Sequence, residues 1–334
     1  MTRDAREPKT DDASPTPPFP VDVVNRPARR REHARLRVVL LNAAGGQNVE
    51  AIVRCLKRPA LNDADIILLC EIDRWTPRSS RRDIPADLAA MLGMSFAYVP
   101  EFGVKRVGEG GAGDSEIFAY MGNAILSAAP FESATGAAMH NPRRPRIFRR
   151  RRRGRFSRGG PIRLVGTPTG LITSMKFGGD SLTVGVTHLH SRCTPAERAQ
   201  QMADYLENFP ARGPAIFGGD LNTTTTELAG MRAMVRTARQ MIANPARFHS
   251  PEPHEPLFER IRERGLVLEG ANVAKRPTFT WSGLIPRAWR PKLDWLAVRE
   301  LVPMAGSARV VSPRHSLLSR RASDHDFVTV DIHL

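Results

Sequence analysis

The sequence predicts an α/β protein: a two-layer, mostly antiparallel β-sandwich flanked by helices. Short apolar runs of strand length recur along the chain, with amphipathic helical stretches between them. Several neighbouring runs are joined too tightly for a crossover helix, so those strands must pair antiparallel. The 334 residues, 41% of them hydrophobic, suffice for one large domain with a substantial core and a terminal tail.

Residues 1–32 are rich in Pro, Arg, Asp and Thr without an apolar period, and read as a disordered tail ahead of a domain over 33–334. Residues 36–41 form the first strand, which ends at Asn42; Val49–Leu56 follows as an amphipathic helix. A second apolar run over 65–70 is bounded by Glu71, and 86–92 and 95–99 read as helix and strand. A glycine-rich loop over 103–113 precedes a strand at 122–127. Residues 171–177 and 182–187 predict a hairpin that delivers His188 at its end. Pro195–Asn208 is a helix with Pro195 in its first turn and Thr194 as its cap. A strand over 215–222 comes next, then helices near 228–241 and 256–264. Runs at 278–281, 293–298, 308–311 and 327–332 complete the strands, and no short repeat is visible.

Composition narrows the setting. Cys55, Cys70 and Cys193 have neither pairing nor metal spacing, which suggests reduced thiols and a cytoplasmic protein. No apolar run is long enough to span a bilayer, and residues 1–32 lack the apolar core of a secretory signal. The net charge of +16 is largely local, because ten arginines and no acid lie between Arg143 and Arg158. This insertion, at about 141–160, is either a solvated loop or a segment that binds a polyanion; so dense a block of like charge favours the second reading.

The chain is organised around Ala215-Ile216-Phe217-Gly218-Gly219-Asp220-Leu221-Asn222-Thr223. Strand alternation points Asp220 and Asn222 to one side. By itself this could be an Asx turn that closes a strand. It has company, however, because other apolar runs also end in polar residues: Asn42, Glu71, His188, Asp294, and Asp324 with His325. Such a series suggests strand ends converging on one rim. Glu71, Asp220, Asp324, Asn42 and Asn222 offer hard oxygens suited to Mg²⁺ or Mn²⁺. His188 and His325 can donate to phosphate or exchange protons. Together they suit hydrolysis of a phosphate ester.

Over 36–334 the sequence resembles the endonuclease/exonuclease/phosphatase superfamily of DNase I-like phosphoesterases. The resemblance rests, in order, on Asn42, Glu71, the strand Gly122–Ser127, Thr187-His188-Leu189 with Arg198 and Gln201 after it, Gly219-Asp220-Leu221-Asn222, Leu293-Asp294-Trp295, and Ser323-Asp324-His325. It implies a four-layer α/β-sandwich of two mostly antiparallel sheets packed face to face, with helices outside. It further implies Glu71 as principal metal ligand, assisted by Asn42 and supported by Asp324, with Mg²⁺ or Mn²⁺ as cofactor. Asp220 would orient or deprotonate water, Asn222 would hold the phosphate, and His188 and His325 would stabilise its oxygens, with Asp294 orienting His325.

Cys70 stands where many relatives carry glutamine, a departure expected to tune activity rather than abolish it. His190 is expected to line the cleft or pack, and Arg198 and Gln201 to be structural. His33, His140, His249, His254 and His315 belong to no constellation, and Trp281 reads as core. The leading expectation is a metal-dependent nuclease or phosphodiesterase, acting as a monomer on nucleic acid. The alternative substrate is an anionic lipid or inositol phosphate head group, with the arginine segment on a membrane surface. A binding module without turnover is disfavoured by the intact residue set.

Overall fold

Strand alternation assigns the core before any contact is measured. In the run from Leu36 to Ala43, Leu36, Val38 and Leu40 enter one cluster, while Val39, Leu41 and Ala43 enter another. A strand apolar on both faces must be covered on both. In the computed structural model of the chain, one face is covered by helices and the other by a second sheet. Residues 19–28, 35–107, 114–142, 147–148, 162–177, 179–227, 230–280, 286–316 and 319–333 are described.

In chain order the elements begin β1 (Asp22–Val24), β2 (Arg35–Gly45), α1 (Val49–Leu56), β3 (Ile66–Arg74) and α2 (Ile84–Leu92). Then come β4 (Ser95–Val107), β5 (Asp114–Ser127), β6 (Phe131–Ala138), β7 (Ile147–Phe148), β8 (Ile162–Gly166), β9 (Thr169–Phe177) and β10 (Asp180–His188). The chain continues with α3 (Pro195–Asn208), β11 (Ala215–Asp220), α4 (Met231–Ala243), α5 (Ala246–His249) and α6 (Leu257–Glu263). It closes with β12 (Asp294–Arg299), β13 (Val302–Pro303), β14 (Arg309–Val311) and β15 (Phe327–His333).

The larger sheet runs β13-β15-β2-β3-β5-β4-β8-β7, with β1 beside β4 and β14 beside β15; the smaller runs β12-β11-β10-β9-β6. Among the described residues, β2/β3 and β10/β11 are the strand pairs that run parallel. Leu36, Val38, Leu40, Ile66 and Leu68 of the first sheet pack on Leu182, Val184, Val186 and Ile216 of the second. Val39, Leu41, Ile67 and Leu69 face α1 and α2, while Phe217 and Trp295 face Met202 and Tyr205 of α3 and Phe258 of α6. These are the four layers of a DNase I-like sandwich. The α3 cap is a full capping box, with Thr194 Oγ1 accepting from Glu197 N and Glu197 Oε2 accepting from Thr194 N.

Several expectations need correction. Part of the segment read as tail is ordered: β1 pairs with β4, setting Asp22 opposite Tyr98. Arg74 Nη2 binds Asp22 at 2.7 Å, and the Asn25 carboxamide makes two bonds to the backbone of Phe131. A strand of three residues has no period to read, and these side-chain anchors lie far away in sequence. The glycine-rich loop over 103–113 is partly strand, since β4 runs on to Val107 and β5 begins at Asp114. Among the described residues of 278–281 there is no strand, only an isolated bridge between Phe279 and His325; Trp281 lies outside the described residues. The apolar pattern does not predict β6, whose apolar residues are mostly alanine. Of the arginine insertion, only 141, 142, 147 and 148 are described, so the expectation for its arginines falls outside the described residues.

Candidate active site

Strand register sets one row of ionisable groups at the end of the smaller sheet. Parallel pairing of β10 with β11 puts His188 opposite Asp220, and antiparallel pairing of β11 with β12 puts Asp220 opposite Asp294. Gly219 permits this row. A Cβ there would fall 1.9 Å from Thr187 O, so a side chain would push β10 and β11 apart.

The larger sheet ends its own parallel pair at the same place. Asn42 of β2 lies opposite Cys70 of β3, after which the register slips between Leu69 and Ile72. Glu71 occupies the slip with φ of 49°, a left-handed conformation unusual for a residue with a Cβ. The irregularity re-aims a side chain that regular alternation would direct elsewhere. Asn222 is left-handed too, with φ of 47°, and its Nδ2 donates to Leu189 O at 2.7 Å. That bond ties the loop after Asp220 to the segment after His188.

The two sheets meet in a network of side chains. Asn42 Nδ2 donates to Asp220 Oδ2 at 2.8 Å and to Glu71 Oε1 at 3.2 Å, while its Oδ1 accepts from Ala44 N. Asp220 Oδ1 accepts from Asn222 N at 3.0 Å. His188 Nε2 lies 3.9 Å and His325 Nε2 3.7 Å from the same Asp220 Oδ2, so both imidazoles converge on one oxygen. His188 Nε2 is also 3.6 Å from Glu71 Oε1. His325 Nδ1 is 2.8 Å from Asp294 Oδ2, and the ring packs edge-on against Phe279. Ser323 Oγ donates to Asn42 O, which holds the His325 loop against β2.

Electrostatics follow from this crowding. Burial works against a charged His325, but Asp294 and Asp220 outweigh it and push its pKa up to about 10. Burial likewise opposes a charged His188, yet Glu101, Glu71 and Asp220 raise it to about 10. Asp220 is pushed up to about 6, chiefly by burial, with His325 pulling the other way. Burial would also raise Glu71, but His188, Asn42, His325 and Arg78 together hold it below the usual carboxylate value. The arrangement thus joins a carboxylate poised near neutrality to two cationic N–H donors. Asp294 is fully buried with its Oδ2 against His325 Nδ1, and its charge is the main influence that raises the His325 pKa.

The donor set fits a hard divalent cation. Glu71 with His188 and Asp220, and Asp220 with Asp294 and His325, each bring ligand atoms within 4.8 Å of one another. The carboxylates among them supply the hard oxygens that such a cation prefers. Glu71, anionic and one-third exposed, is the most accessible of them. Asp324 joins neither group of three, although its charge acts on His325 and Arg78. Asn42 serves here as a donor between carboxylates.

The structure therefore brings together Asn42, Glu71, His188, Asp220, Asn222, Asp294 and His325, with Asp324 at the margin. It also supplies Glu101, which sequence reasoning missed. Glu101 lies on β4, is buried, accepts from Thr169 N, and holds Oε2 3.7 Å from His188 Nδ1. Its place beside His188 mirrors that of Asp294 beside His325. The available signal was an acid within an apolar strand, Val99-Pro100-Glu101-Phe102.

The remaining residues divide cleanly. His190 Nδ1 accepts from Arg192 N, and its own N–H donates to Gln201 Oε1, so it belongs to the turn after His188. Arg198 is fully buried, paired with Glu255 and bonded to Cys193 O, which is a structural role. Cys70 Sγ lies 3.4 Å from Thr187 O, a contact between the sheets directly beneath the site.

Fold and site define a phosphoesterase of the DNase I-like class. The chain belongs to the Endonuclease/Exonuclease/phosphatase family, whose model matches residues 18–325. No curated protein sequence matches it. Among solved structures, an endonuclease/exonuclease/phosphatase from Beutenbergia cavernae DSM 12333 is 21% identical with a TM-score of 0.54, covering 90% of this chain and 72% of that one. An endonuclease/exonuclease/phosphatase family protein from Leptotrichia buccalis C-1013-b is 14% identical with a TM-score of 0.51, over 90% and 100% of the two chains. An AP endonuclease from Archaeoglobus fulgidus is 16% identical with a TM-score of 0.51, over 88% and 98%. These likenesses carry the fold.

Proposed function

We propose that the chain is a divalent-metal-dependent phosphodiesterase acting on nucleic acid. The convergence of His188 Nε2 and His325 Nε2 on Asp220 Oδ2 carries this reading. Asp220 takes a proton from water as the water oxygen bonds to phosphorus and the ester P–O bond breaks. His188 and His325 donate to the phosphoryl oxygens, and a protonated imidazole supplies the departing oxygen with its proton. Glu101 and Asp294 keep the two rings oriented and charged, and Asn222 steadies the phosphate. Glu71, Asn42 and Asp324 are the residues that would hold the cation, which when bound supplies charge neutralisation at the phosphate.

A polymeric substrate is supported by the ten arginines between Arg143 and Arg158, whose phosphate contacts would hold a strand in register without reading sequence. The fold is also that of an AP endonuclease from Archaeoglobus fulgidus. Anionic lipid or inositol phosphate head groups are a second reading, favoured by the arginines and exposed apolar side chains of α4. We place the protein in the cytoplasm, where its buried thiols stay reduced, and expect a monomer.

A substrate panel tests the assignment: plasmid, single-stranded DNA, RNA, sphingomyelin, inositol phosphates and a small soluble diester, each with Mg²⁺ and with Mn²⁺. Nucleic-acid turnover should lead. Replacing Arg149 through Arg153 with Ser should raise the polymer KM and flatten its salt dependence by about 0.9 in log–log slope for each phosphate the arginines no longer neutralise. The small diester should be cleaved as before. Turnover confined to sphingomyelin or inositol phosphates would reject the nucleic-acid reading.

A further inference from the structure

Helix α4 turns its apolar side outward. Only Ala233 and Thr237 of its residues are buried, whereas Met231 is 75% exposed, Ile242 60%, Met234 52% and Val235 44%. At helical spacing Met231, Met234, Val235, Ala238 and Ile242 share one outward stripe. Arg232, Arg236 and Arg239 lie along its flank, all exposed, and make no ion pair or side-chain hydrogen bond among the described residues. No acidic residue occurs from 228 to 251. The helix is fixed beneath by Thr237 Oγ1, 2.7 Å from Thr226 Oγ1 in the loop that leaves Asp220 and Asn222.

We propose that α4 is an interfacial helix that docks the protein on an anionic phospholipid surface. Met231, Met234, Val235 and Ile242 enter the boundary between head groups and acyl chains. Arg232, Arg236 and Arg239 reach the lipid phosphates, their aliphatic stems lying along the apolar stripe. Charge decides among the occupants. A second copy would bring two acid-free rows of arginine together. Nucleic acid would satisfy the arginines but gains little from four exposed aliphatic side chains with no aromatic ring among them. A bilayer with anionic head groups satisfies both stripes at once. Docking here would hold the membrane against the helix that continues the Asp220–Asn222 loop. It stands whichever diester the site cleaves.

Sedimentation of the full chain with vesicles tests the proposal, using phosphatidylcholine alone and phosphatidylcholine mixed with phosphatidylglycerol. Wild-type protein should sediment with the mixed vesicles and much less with the neutral ones. Replacing Met231, Met234, Val235 and Ile242 with Ser should weaken binding at least about tenfold, as should replacing Arg232, Arg236 and Arg239 with Ser. Both variants should hydrolyse a small soluble diester at the wild-type rate, which shows that fold and site persist. Wild-type protein that ignores anionic vesicles overturns the proposal, as does undiminished binding by the apolar-to-Ser variant. Loss of DNA affinity in the arginine variant with unchanged vesicle binding would make α4 a nucleic-acid face. Self-association abolished by the apolar-to-Ser changes would assign the stripe to a second copy. A wild-type protein without diesterase activity would reject the proposed function and leave the vesicle result standing.

Discussion

Asn42 Nδ2 donates to Asp220 Oδ2 at 2.8 Å, joining β2 of the larger sheet to β11 of the smaller across 178 positions of sequence. The distance between the residues proposed to bind metal and the proposed base is therefore set by how the sheets pack. Leu36, Val38, Leu40, Ile66 and Leu68 on one side and Val184, Val186 and Ile216 on the other maintain it. A preorganised network of this kind needs little rearrangement during reaction.

Removing either end of the Asn42–Glu71 contact should therefore affect chemistry more than folding. Asn42→Ala leaves Glu71 and Asp220 without their shared donor and should lower kcat by about 10²–10³. Glu71→Gln should abolish most activity, because an amide binds a hard cation far more weakly than a carboxylate. Circular dichroism should match wild type for both. Near-native turnover of Glu71→Gln at saturating Mg²⁺ would remove Glu71 as principal ligand.

The histidines should separate sharply. His188→Ala and His325→Ala should each lower kcat by about 10²–10⁴, whereas His190→Ala should be mild, since its Nδ1 accepts from Arg192 N in the turn after His188. Glu101→Gln should slow turnover while KM for a small diester holds, because Glu101 acts through the His188 ring. A crippling His190→Ala beside a mild His188→Ala would reverse the assignment.

Much of this site was legible because its residues sit at strand ends, where an ionisable group interrupts an apolar run. His188, Asp220 and Asp294 were visible for that reason, and register then aligned them. Glu101 was not, because it lies inside a strand and its role comes from a neighbour on β10. The turn of Glu71 into its left-handed conformation was equally hidden: backbone irregularity depends on pairing with β2 and β5, which alternation does not encode. β1 escaped for want of length, since its anchors Arg74 and Phe131 lie elsewhere in the chain.

Arg198 and Glu255 form a fully buried ion pair, and Glu255 also accepts from Thr225 N in the loop after Asn222. Burial raises the Glu255 pKa while Arg198 opposes the rise. Arg198→Met would strand a buried carboxylate and should destabilise the fold by about 3–5 kcal/mol. The double change Arg198→Met with Glu255→Leu should recover much of that loss. Urea unfolding of the three proteins checks both statements; a single variant as stable as wild type would mean that water already reaches the pair.

Lys292 gives the clearest dependence of stability on pH. Its Nζ lies 3.7 Å from the centroid of the Trp295 ring and donates to Val273 O at 3.1 Å. Burial pushes its pKa down from 10.5 to about 8, with Glu252 pulling the other way. Between those values the unfolded chain holds a proton that the native state lacks, so this group's contribution to stability rises with pH across the window. Below about 8 the native state carries the charged group against the full burial penalty. Lys292→Met removes the titration and keeps the apolar volume. The variant should exceed wild type by about 1–3 kcal/mol at pH 7, the penalty being partly offset by the attraction of the ammonium to the ring. That advantage should shrink steadily as pH approaches 10.5. Urea unfolding at neutral pH and again above pH 9 reads the gap directly. A gap independent of pH would mean that Trp295 and Val273 hold the ammonium as well as water does.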